Sequence, residues 1–436
     1  MRIAFHTLGC KVNQYETESM REQFRKAGHS IVGETDAADV YIINTCTVTN
    51  LADRKSRQYI RRMKKQCPDS IICVTGCYVQ IKPDEVAAIE GVDIIAGTNE
   101  KENILRYVED FAGGADIEKR HVLPYEELSE YTGSGIITSM ESRTRAYIKI
   151  EDGCDRFCSY CVIPYARGKV RSRRMDEILA EAESLVARGF KELILTGINT
   201  ALYEDLPGLL EKLDYLGRSE DFRVRLSSLE PTVVNAEYVK GLFRFRRLCH
   251  HLHLSMQSGS DNVLKSMKRR YDMDEYMQII DALKEFDPLY GISTDIIAGF
   301  PGETDDDTKN STDAIRKIGF CKTHAFNYSQ RPGTVAAAMS DQVPPPVRKQ
   351  RVAMLIEAGE EAQKEFAKKN IGTVNRVLFE ERAVTDSAEA KIMAGYTDNY
   401  LRAYAEYDEK YLGELTDVRI TGLIEDGVLV EILPGN

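Results

Sequence analysis

The sequence predicts an α/β protein in three parts: an N-terminal doubly wound domain, an open, partial β/α barrel, and a small all-β C-terminal domain of OB-like type. Three observations carry this. Short apolar runs alternate with helical stretches from Met1 to about Asp110, and the alternation resumes at length from Ala146. Pro344-Pro345-Pro346 stops that second series, and beyond residue 372 the helical period gives way to β-rich segments. At 436 residues the chain also exceeds what one core organises, so several domains are expected.

In the first domain (1–112) Ile3–Leu8, Val40–Asn44 and Ile71–Thr75 read as buried parallel strands, with helices over Gln14–Ala27 and Ala52–Lys65 between them. A polar stretch over 113–143, with Gly133-Ser134-Gly135, reads as a linker. The barrel (144–343) has strand candidates Ala146–Ile150, Glu192–Thr196, Arg223–Leu226, His251–Met256, Ser293–Ile297 and Phe320–Tyr328, and its active site is expected at their carboxyl ends. A connecting helix follows in 344–371. The tail (372–436) offers strands at Asn375–Glu380, Leu401–Glu406, Leu415–Ile420 and Gly427–Ile432.

Composition narrows the class. With 43% hydrophobic and 29% charged residues the chain is neither disordered nor membrane-like, and no stretch is long and apolar enough to span a bilayer. A cytoplasmic location is expected, because Met1-Arg2-Ile3-Ala4-Phe5 runs straight into a strand. A reducing compartment turns the ten cysteines toward metal or catalytic use. The net charge of −11 argues against indiscriminate nucleic-acid binding but not against local basic patches.

The most specific motif is Gly153-Cys154-Asp155-Arg156-Phe157-Cys158-Ser159-Tyr160-Cys161. Its C-x3-C-x2-C spacing supplies three thiolates to a four-iron, four-sulfur cluster and leaves one iron open. An open iron can hold the amino and carboxylate groups of S-adenosylmethionine and pass an electron to its sulfonium, releasing a 5′-deoxyadenosyl radical. A structural zinc loop is the competing use, but tetrahedral zinc wants a fourth ligand and none lies nearby. A second trio, Cys10, Cys46 and Cys77, is scattered in sequence, yet each member follows a predicted strand. Carboxyl strand ends of a doubly wound sheet converge on one edge, so these thiols can hold a second cluster; buried cysteines also serve simply as small hydrophobes. Cys67, Cys73, Cys249 and Cys321 lack such a pattern and read as structural.

Basic residues are bunched in three clusters: Arg54, Lys55, Arg57, Arg61, Arg62, Lys64 and Lys65; Arg167, Lys169, Arg171, Arg173 and Arg174; and Lys268, Arg269 and Arg270. Two of them flank the cysteine sites, where they can hold RNA phosphates while an unstacked base enters the cavity; solvated faces are the plainer reading. Tyr396, Tyr400 and Tyr404 offer faces for bases or pack the tail's core. His251 and His253, on one strand face, read as core histidines.

Taken together, these residues resemble the methylthiotransferases of the radical S-adenosylmethionine superfamily over nearly the whole chain. Phe5-His6-Thr7-Leu8-Gly9-Cys10-Lys11-Val12-Asn13, Asn44-Thr45-Cys46-Thr47-Val48-Thr49, Arg225-Leu226-Ser227-Ser228-Leu229-Glu230-Pro231 and Arg331-Pro332-Gly333-Thr334 look like the branch acting on N6-threonylcarbamoyladenosine in tRNA. The sister branches act on isopentenyladenosine in tRNA or on an aspartate of a ribosomal protein; a metal-stabilised RNA-binding protein is the non-enzymatic alternative. The resemblance implies methylthiolation of C2 of the modified adenosine immediately 3′ to the anticodon. It implies two 4Fe-4S clusters, on Cys154, Cys158 and Cys161 and on Cys10, Cys46 and Cys77, and S-adenosylmethionine as both methyl and radical source. It also implies a C-terminal RNA-binding TRAM domain, the anticodon stem-loop as partner, and a flavodoxin-type or reductase electron donor. Around the cofactor it points to Tyr160 beside the adenine, to Gly197 and Asn199 in Thr196-Gly197-Ile198-Asn199, and to Gln257 with Ser258. Gly299, in Asp295-Ile296-Ile297-Ala298-Gly299-Phe300-Pro301-Gly302-Glu303, completes the set. Thr200-Ala201-Leu202-Tyr203-Glu204 departs from the branch in lacking its glycines.

Overall fold

A computed structural model describes residues 1–131, 133, 135–138, 140, 144–217, 221–383 and 392–434. The first sheet contains β1 (Arg2–Thr7), β2 (Ser30–Val32), β3 (Val40–Thr45), β4 (Ile71–Gly76), β5 (Ile94–Ala96) and β6 (Arg120–His121), in the order β2-β1-β3-β4-β5-β6 and parallel throughout. Every residue of β3 is buried, as expected of a central strand covered on both faces. The direction of strand succession reverses between β1 and β3, and that switch point is where open α/β sheets bind ligands. The helices run from Lys11 to Lys26 and from Asn50 to Gln66; the Thr49 side chain caps the second by accepting from the Ala52 amide.

The stretch read as a linker is in part a piece of this sheet. Arg120–His121 pairs with β5, and Leu128 and Ile137 are buried. The polar composition of 113–143 hid a short edge strand that takes its order from the neighbouring strand rather than from its own period. Residue 132, Ser134 and residues 139 and 141–143 of that stretch lie outside the described residues.

The next six strands are β7 (Arg145–Lys149), β8 (Glu192–Thr196), β9 (Arg223–Leu226), β10 (His251–Leu254), β11 (Gly291–Ala298) and β12 (Lys322–Asn327). Each pairs in parallel with its neighbour, except that the chain breaks at Ser227 and reaches β10 through the short strand Ser228–Leu229. The result is a curved arc whose edges, β7 and β12, do not pair with each other. Alternate residues face outward: Ala146, Ile148, Leu193, Leu195, Val224, Leu226, Leu252 and Leu254 join the apolar core under the surrounding helices. The inward face of the arc is polar. The Lys11–Lys26 helix packs against β7 and so brings the first domain to the open side of the arc.

After the Pro345–Lys369 helix, the tail closes a barrel of β13 (Val374–Ala383), β14 (Ile392–Thr397), β15 (Arg402–Glu406), β16 (Leu415–Ile424) and β17 (Gly427–Ile432), in the order β13-β14-β15-β17-β16. The parallel β15–β17 pair and the antiparallel β13–β16 pair close it in the manner of a five-stranded Greek-key barrel. Ile392–Thr397 was not among the sequence candidates: Ile392-Met393-Ala394-Gly395 offers no alternation to read. Among the described residues no helix is long and apolar enough to cross a membrane.

Candidate active site: two cysteine trios around one lumen

The loop after β7 is fixed by close backbone approach. Gly153 has φ +86°, and a Cβ there would fall 1.9 Å from the Lys169 carbonyl oxygen. The Cys154 amide donates to the Gly168 carbonyl at 3.1 Å, the Ser159 amide to the Met267 carbonyl at 3.0 Å, and the Cys161 amide to the Cys158 carbonyl at 2.9 Å. These bonds bring three thiols into mutual electrostatic contact: Cys158 raises both Cys154 and Cys161, although burial is the larger cause for each. Burial pushes the Cys154 thiol up to about 12. Arg269 Nη1 lies 3.3 Å from Cys158 Sγ. Arg269 is the member of the third basic cluster that points into the protein rather than toward RNA; the neighbouring Lys268 and Arg270 are exposed.

The second trio assembles at the switch point of the first sheet. Cys10 follows β1, Cys46 follows β3 and Cys77 follows β4. A Cβ added at Gly9 would lie 3.0 Å from Cys46 Sγ, which places the first two strand ends side by side. Gly76 has φ +102°, and a Cβ there would meet the Thr45 carbonyl oxygen at 2.4 Å, so β4 can close on β3 only with glycine at that position. Cys46 is raised to about 12, by burial first and then by Cys77 and Cys10. Cys10 is also raised by burial, yet it keeps solvent access, as a thiol at the base of a recess would. Asn13 Nδ2 clamps the turn by donating to the carbonyls of Leu8 (2.7 Å) and Thr45 (3.0 Å).

Among the described residues no three His, Cys, Asp or Glu side chains converge on a single-ion site. A tetrahedral zinc would require thiolates about 2.3 Å from one point, so neither trio has zinc geometry; thiols spread around a cluster need no such convergence. Each trio gathers three thiols and no fourth, the donor set that fits a four-iron cluster with one iron free.

One side chain joins the two sites. Arg167, six residues after Cys161, is fully buried. It donates to Glu16 Oε1 at 2.5 Å, to Asn13 Oδ1 at 2.6 Å and to both Asp152 oxygens at 3.3 Å. Glu16 and Asn13 lie on the helix that begins beside Cys10. Lys149 completes the joint, at 2.8 Å from Glu16 and 2.6 Å from Asp152. Arg173 is likewise buried, on Glu181 and Tyr15, and Arg171 donates to the Leu128 carbonyl. The second basic cluster is therefore a correction: Arg167, Arg171 and Arg173 hold domains together, and only Arg174 is an exposed arginine of that set. By contrast Arg54, Lys55, Arg61, Arg62 and Lys65 do line an exposed helix face after Cys46.

The residues expected around the cofactor fall at the carboxyl mouth of the arc. Tyr160 meets Phe300 edge-on, with ring centroids 6.5 Å apart. Asn199 is buried; its amide donates to Glu151 Oε2 at 2.9 Å, its Nδ2 to Glu230 Oε2 at 3.0 Å, and its Oδ1 has no partner. Glu151 Oε1 is also partnerless, and burial holds that carboxyl well above the usual range. A Cβ at Gly197 would fall 2.6 Å from Glu151 Oε2. Gln257 sits at φ +65°, bridging β10 to β11 through bonds with Asp295 and Ile297, and Ser258 beside it is buried. Such a conformation costs a non-glycine residue on the order of 1 kcal/mol and is often retained at functional sites. The space beside Gly299 is filled by the Arg348 side chain, and its amide donates to Glu303, so the approach that glycine permits here is that of Arg348. Glu230, to which the sequence assigned no role beyond its place in the Arg225–Pro231 motif, is a hub in the structure, 2.8 Å from Arg156, 3.6 Å from Arg269 and bonded to Asn199. The partnerless buried oxygens of Asn199 and Glu151 at this mouth, near Cys154, fit a ligand that donates from an amino group.

Of the two uses open to the tyrosines, faces for bases or packing, the structure shows packing. Tyr400 stacks on His251 at 4.3 Å and on Tyr396 at 4.9 Å, and Arg225 and Arg145 lie over the two rings. Tyr404 is buried and donates to Asp426. Tyr396 and Tyr400 dock the tail onto the barrel.

A fold with an open parallel arc, a three-cysteine loop after its first strand and a cysteine-bearing doubly wound domain on its open side defines a radical S-adenosylmethionine enzyme. The Radical SAM superfamily matches residues 148–315, and the Uncharacterized protein family UPF0004 matches residues 2–97. The Threonylcarbamoyladenosine tRNA methylthiotransferase MtaB of Bacillus subtilis (strain 168) is 42% identical over 432 residues, 96% of this chain and 93% of that one. The protein of the same description from Thermotoga maritima is 38% identical over 98% of this chain and 96% of its own. The tRNA-2-methylthio-N(6)-dimethylallyladenosine synthase of Acetivibrio thermocellus is 32% identical over 95% of this chain and 87% of that one. The chain belongs to the tRNA methylthiotransferase family, on its threonylcarbamoyladenosine branch. Among solved structures, the radical S-adenosylmethionine methyltransferase TsrM from Kitasatospora setae, with cobalamin and a [4Fe-4S] cluster bound, aligns over 77% of this chain and 76% of its own. Its TM-score is 0.60 at 14% identity, a likeness of fold.

Proposed function

We infer that the protein places a methylthio group on C2 of N6-threonylcarbamoyladenosine, at the adenosine immediately 3′ of the anticodon in tRNA. In this reading Cys154, Cys158 and Cys161 hold one 4Fe-4S cluster and Cys10, Cys46 and Cys77 a second. When bound, the clusters and S-adenosylmethionine supply the electron, the radical, the methyl group and a place for the added sulfur. The observation that carries the reading is the pairing of two three-thiol sites through Arg167, which holds them on one rigid joint. Glu230 neutralises Arg156 and Arg269 at the mouth, and Asn199, Gly197 and Gln257 line the place of the cofactor with Tyr160 and the Gly299 turn at its side. The first domain packs on the open side of the arc through the Lys11–Lys26 helix. The exposed basic face of Asn50–Gln66 positions the phosphates of the anticodon stem-loop, and residues 372–436 act as a TRAM-type RNA-binding domain. A flavodoxin-type or reductase donor supplies electrons, and the protein works in the cytoplasm.

The test is an oxygen-free assay with reconstituted protein, S-adenosylmethionine, reductant and tRNA bearing threonylcarbamoyladenosine, read by nucleoside mass spectrometry. The 2-methylthio nucleoside is expected. Cofactor cleavage without that product would move the substrate elsewhere, and product from a Cys158→Ala protein would sink the radical assignment.

A further inference from the structure

The lumen of the arc is layered, and its layers differ. At the bottom Glu192 is paired with Arg223 (2.6 Å) and Arg225 (2.8 Å), and the stacked Tyr400 and His251 seal the end. One step nearer the mouth the pairing stops. His253 Nδ1 shares the Ser293 hydroxyl with His251, but His253 Nε2 has no hydrogen-bond partner and stands 3.5 Å from Asp295 Oδ2. The Asp295 side chain is 33% exposed, and His324 beside it on β12 is open to solvent. Lys11 enters this layer from the first domain. Its ammonium lies in the fields of Arg145, Arg225, Glu192 and Asp295, and among the described residues it forms no ion pair. The interiors of parallel barrels are ordinarily packed with branched aliphatic side chains. A solvent-reachable layer with an unpaired cation and a carboxylate held only at 3.5 Å from a histidine nitrogen is shaped for a polar ligand instead.

We propose that this layer is the specificity pocket for the N6 substituent of the substrate nucleoside, with Lys11 pairing to its carboxylate and Asp295 and His253 taking its hydroxyl and ureido N–H groups. The inference rests on the threonylcarbamoyl reading above and deepens it. In adenine C2 and C6 flank N1, so a substituent held beside Lys11 keeps C2 close to Cys10, the preceding residue in the chain. A dimethylallyl substituent would strip water from Lys11 and Asp295 and return nothing, and sites built around buried polar partners reject such analogues strongly.

The experiment uses cluster-loaded protein and three anticodon stem-loops, bearing threonylcarbamoyladenosine, its carboxamide (the carboxylate amidated) and dimethylallyladenosine. Equilibrium binding is measured alongside kcat/KM for the threonylcarbamoyl tRNA. Wild type should bind the carboxylate form on the order of 10–100-fold more tightly than the amide, the range of a charge-assisted hydrogen bond. Lys11→Met should erase that preference while keeping its iron content, and Asp295→Asn, distant in sequence from any cluster cysteine, should weaken both polar forms and spare the dimethylallyl one. Equal losses on all three stem-loops in Lys11→Met would make it a phosphate contact and overturn the pocket. Wild-type turnover of threonylcarbamoyl tRNA with no preference over the amide would overturn the pocket alone; no turnover of that tRNA would overturn the function and the pocket together.

Discussion

Replacing Arg167 with Met is the sharpest way to probe the joint between the two cysteine sites. The substitution keeps an unbranched side chain of similar reach and removes the guanidinium. Five interactions go with it: those to Glu16 Oε1 at 2.5 Å and Oε2 at 3.1 Å, to Asn13 Oδ1 at 2.6 Å, and to both Asp152 oxygens at 3.3 Å. Two buried carboxylates remain, with Lys149 and Lys101 still in contact. Breaking a buried pair by deleting one partner costs roughly 3–5 kcal/mol, and the surviving lysines set the expectation at the lower end, about 3 kcal/mol. That corresponds to an opening constant about 100-fold larger, since 1.4 kcal/mol is a factor of ten. Hydrogen exchange followed by mass spectrometry on peptides covering 11–26 and 161–174 reads it directly. Arg174→Met, on a side chain 74% exposed, serves as the control and should leave exchange unchanged. Exchange in Arg167→Met within tenfold of wild type would refute the idea that this buried network couples the two sites.

The same joint should loosen in acid. Lys149 and Arg167 outweigh burial and hold Asp152 at about 2, and cations hold Glu16 well below the usual carboxylate range. A depressed folded value means the stability is present above about pH 4 and drains as pH falls toward 2. For Asp152 this amounts to on the order of 2 kcal/mol, and denaturation midpoints of cluster-free protein should fall less steeply between pH 5 and pH 3 in Asp152→Asn than in wild type. Gly153→Ala forces a Cβ to 1.9 Å from a backbone oxygen, so it should lose iron from the Cys154 loop while Cys46→Ala leaves that loop loaded; iron and sulfide analysis with electron paramagnetic resonance separates the two. Tyr400→Ala should lower the melting temperature by undocking the tail, and any loss of tRNA affinity should scale with that undocking rather than with base stacking.

Much of this protein was legible because the informative signals are local. Cys154, Cys158 and Cys161 lie within eight residues, so their spacing reports their proximity without a fold. Cys10, Cys46 and Cys77 were placed by a topological rule, since strand periods locate strand ends and parallel order brings those ends to one edge. Charge is another matter. Arg167, Arg171 and Arg174 look alike in sequence, yet Arg167 is sealed beneath Glu16 from 151 residues away, Arg171 donates to a backbone carbonyl 43 residues away, and Arg174 meets its near neighbours Asp176 and Glu177. Whether a cation binds RNA or a buried carboxylate depends on partners that sequence distance conceals. Tyr400 and Arg269 follow the same logic, the one drawn into a domain contact and the other turned onto a cluster thiol. The sequence alone thus determined most of the elements, their order and the spacing that singles out six thiols, because backbone period and ligand spacing are short-range. The tertiary structure alone decided which charges are paired and which, like Lys11, are left facing a lumen. Electrostatic pairing acts through space, and only the folded chain defines that space.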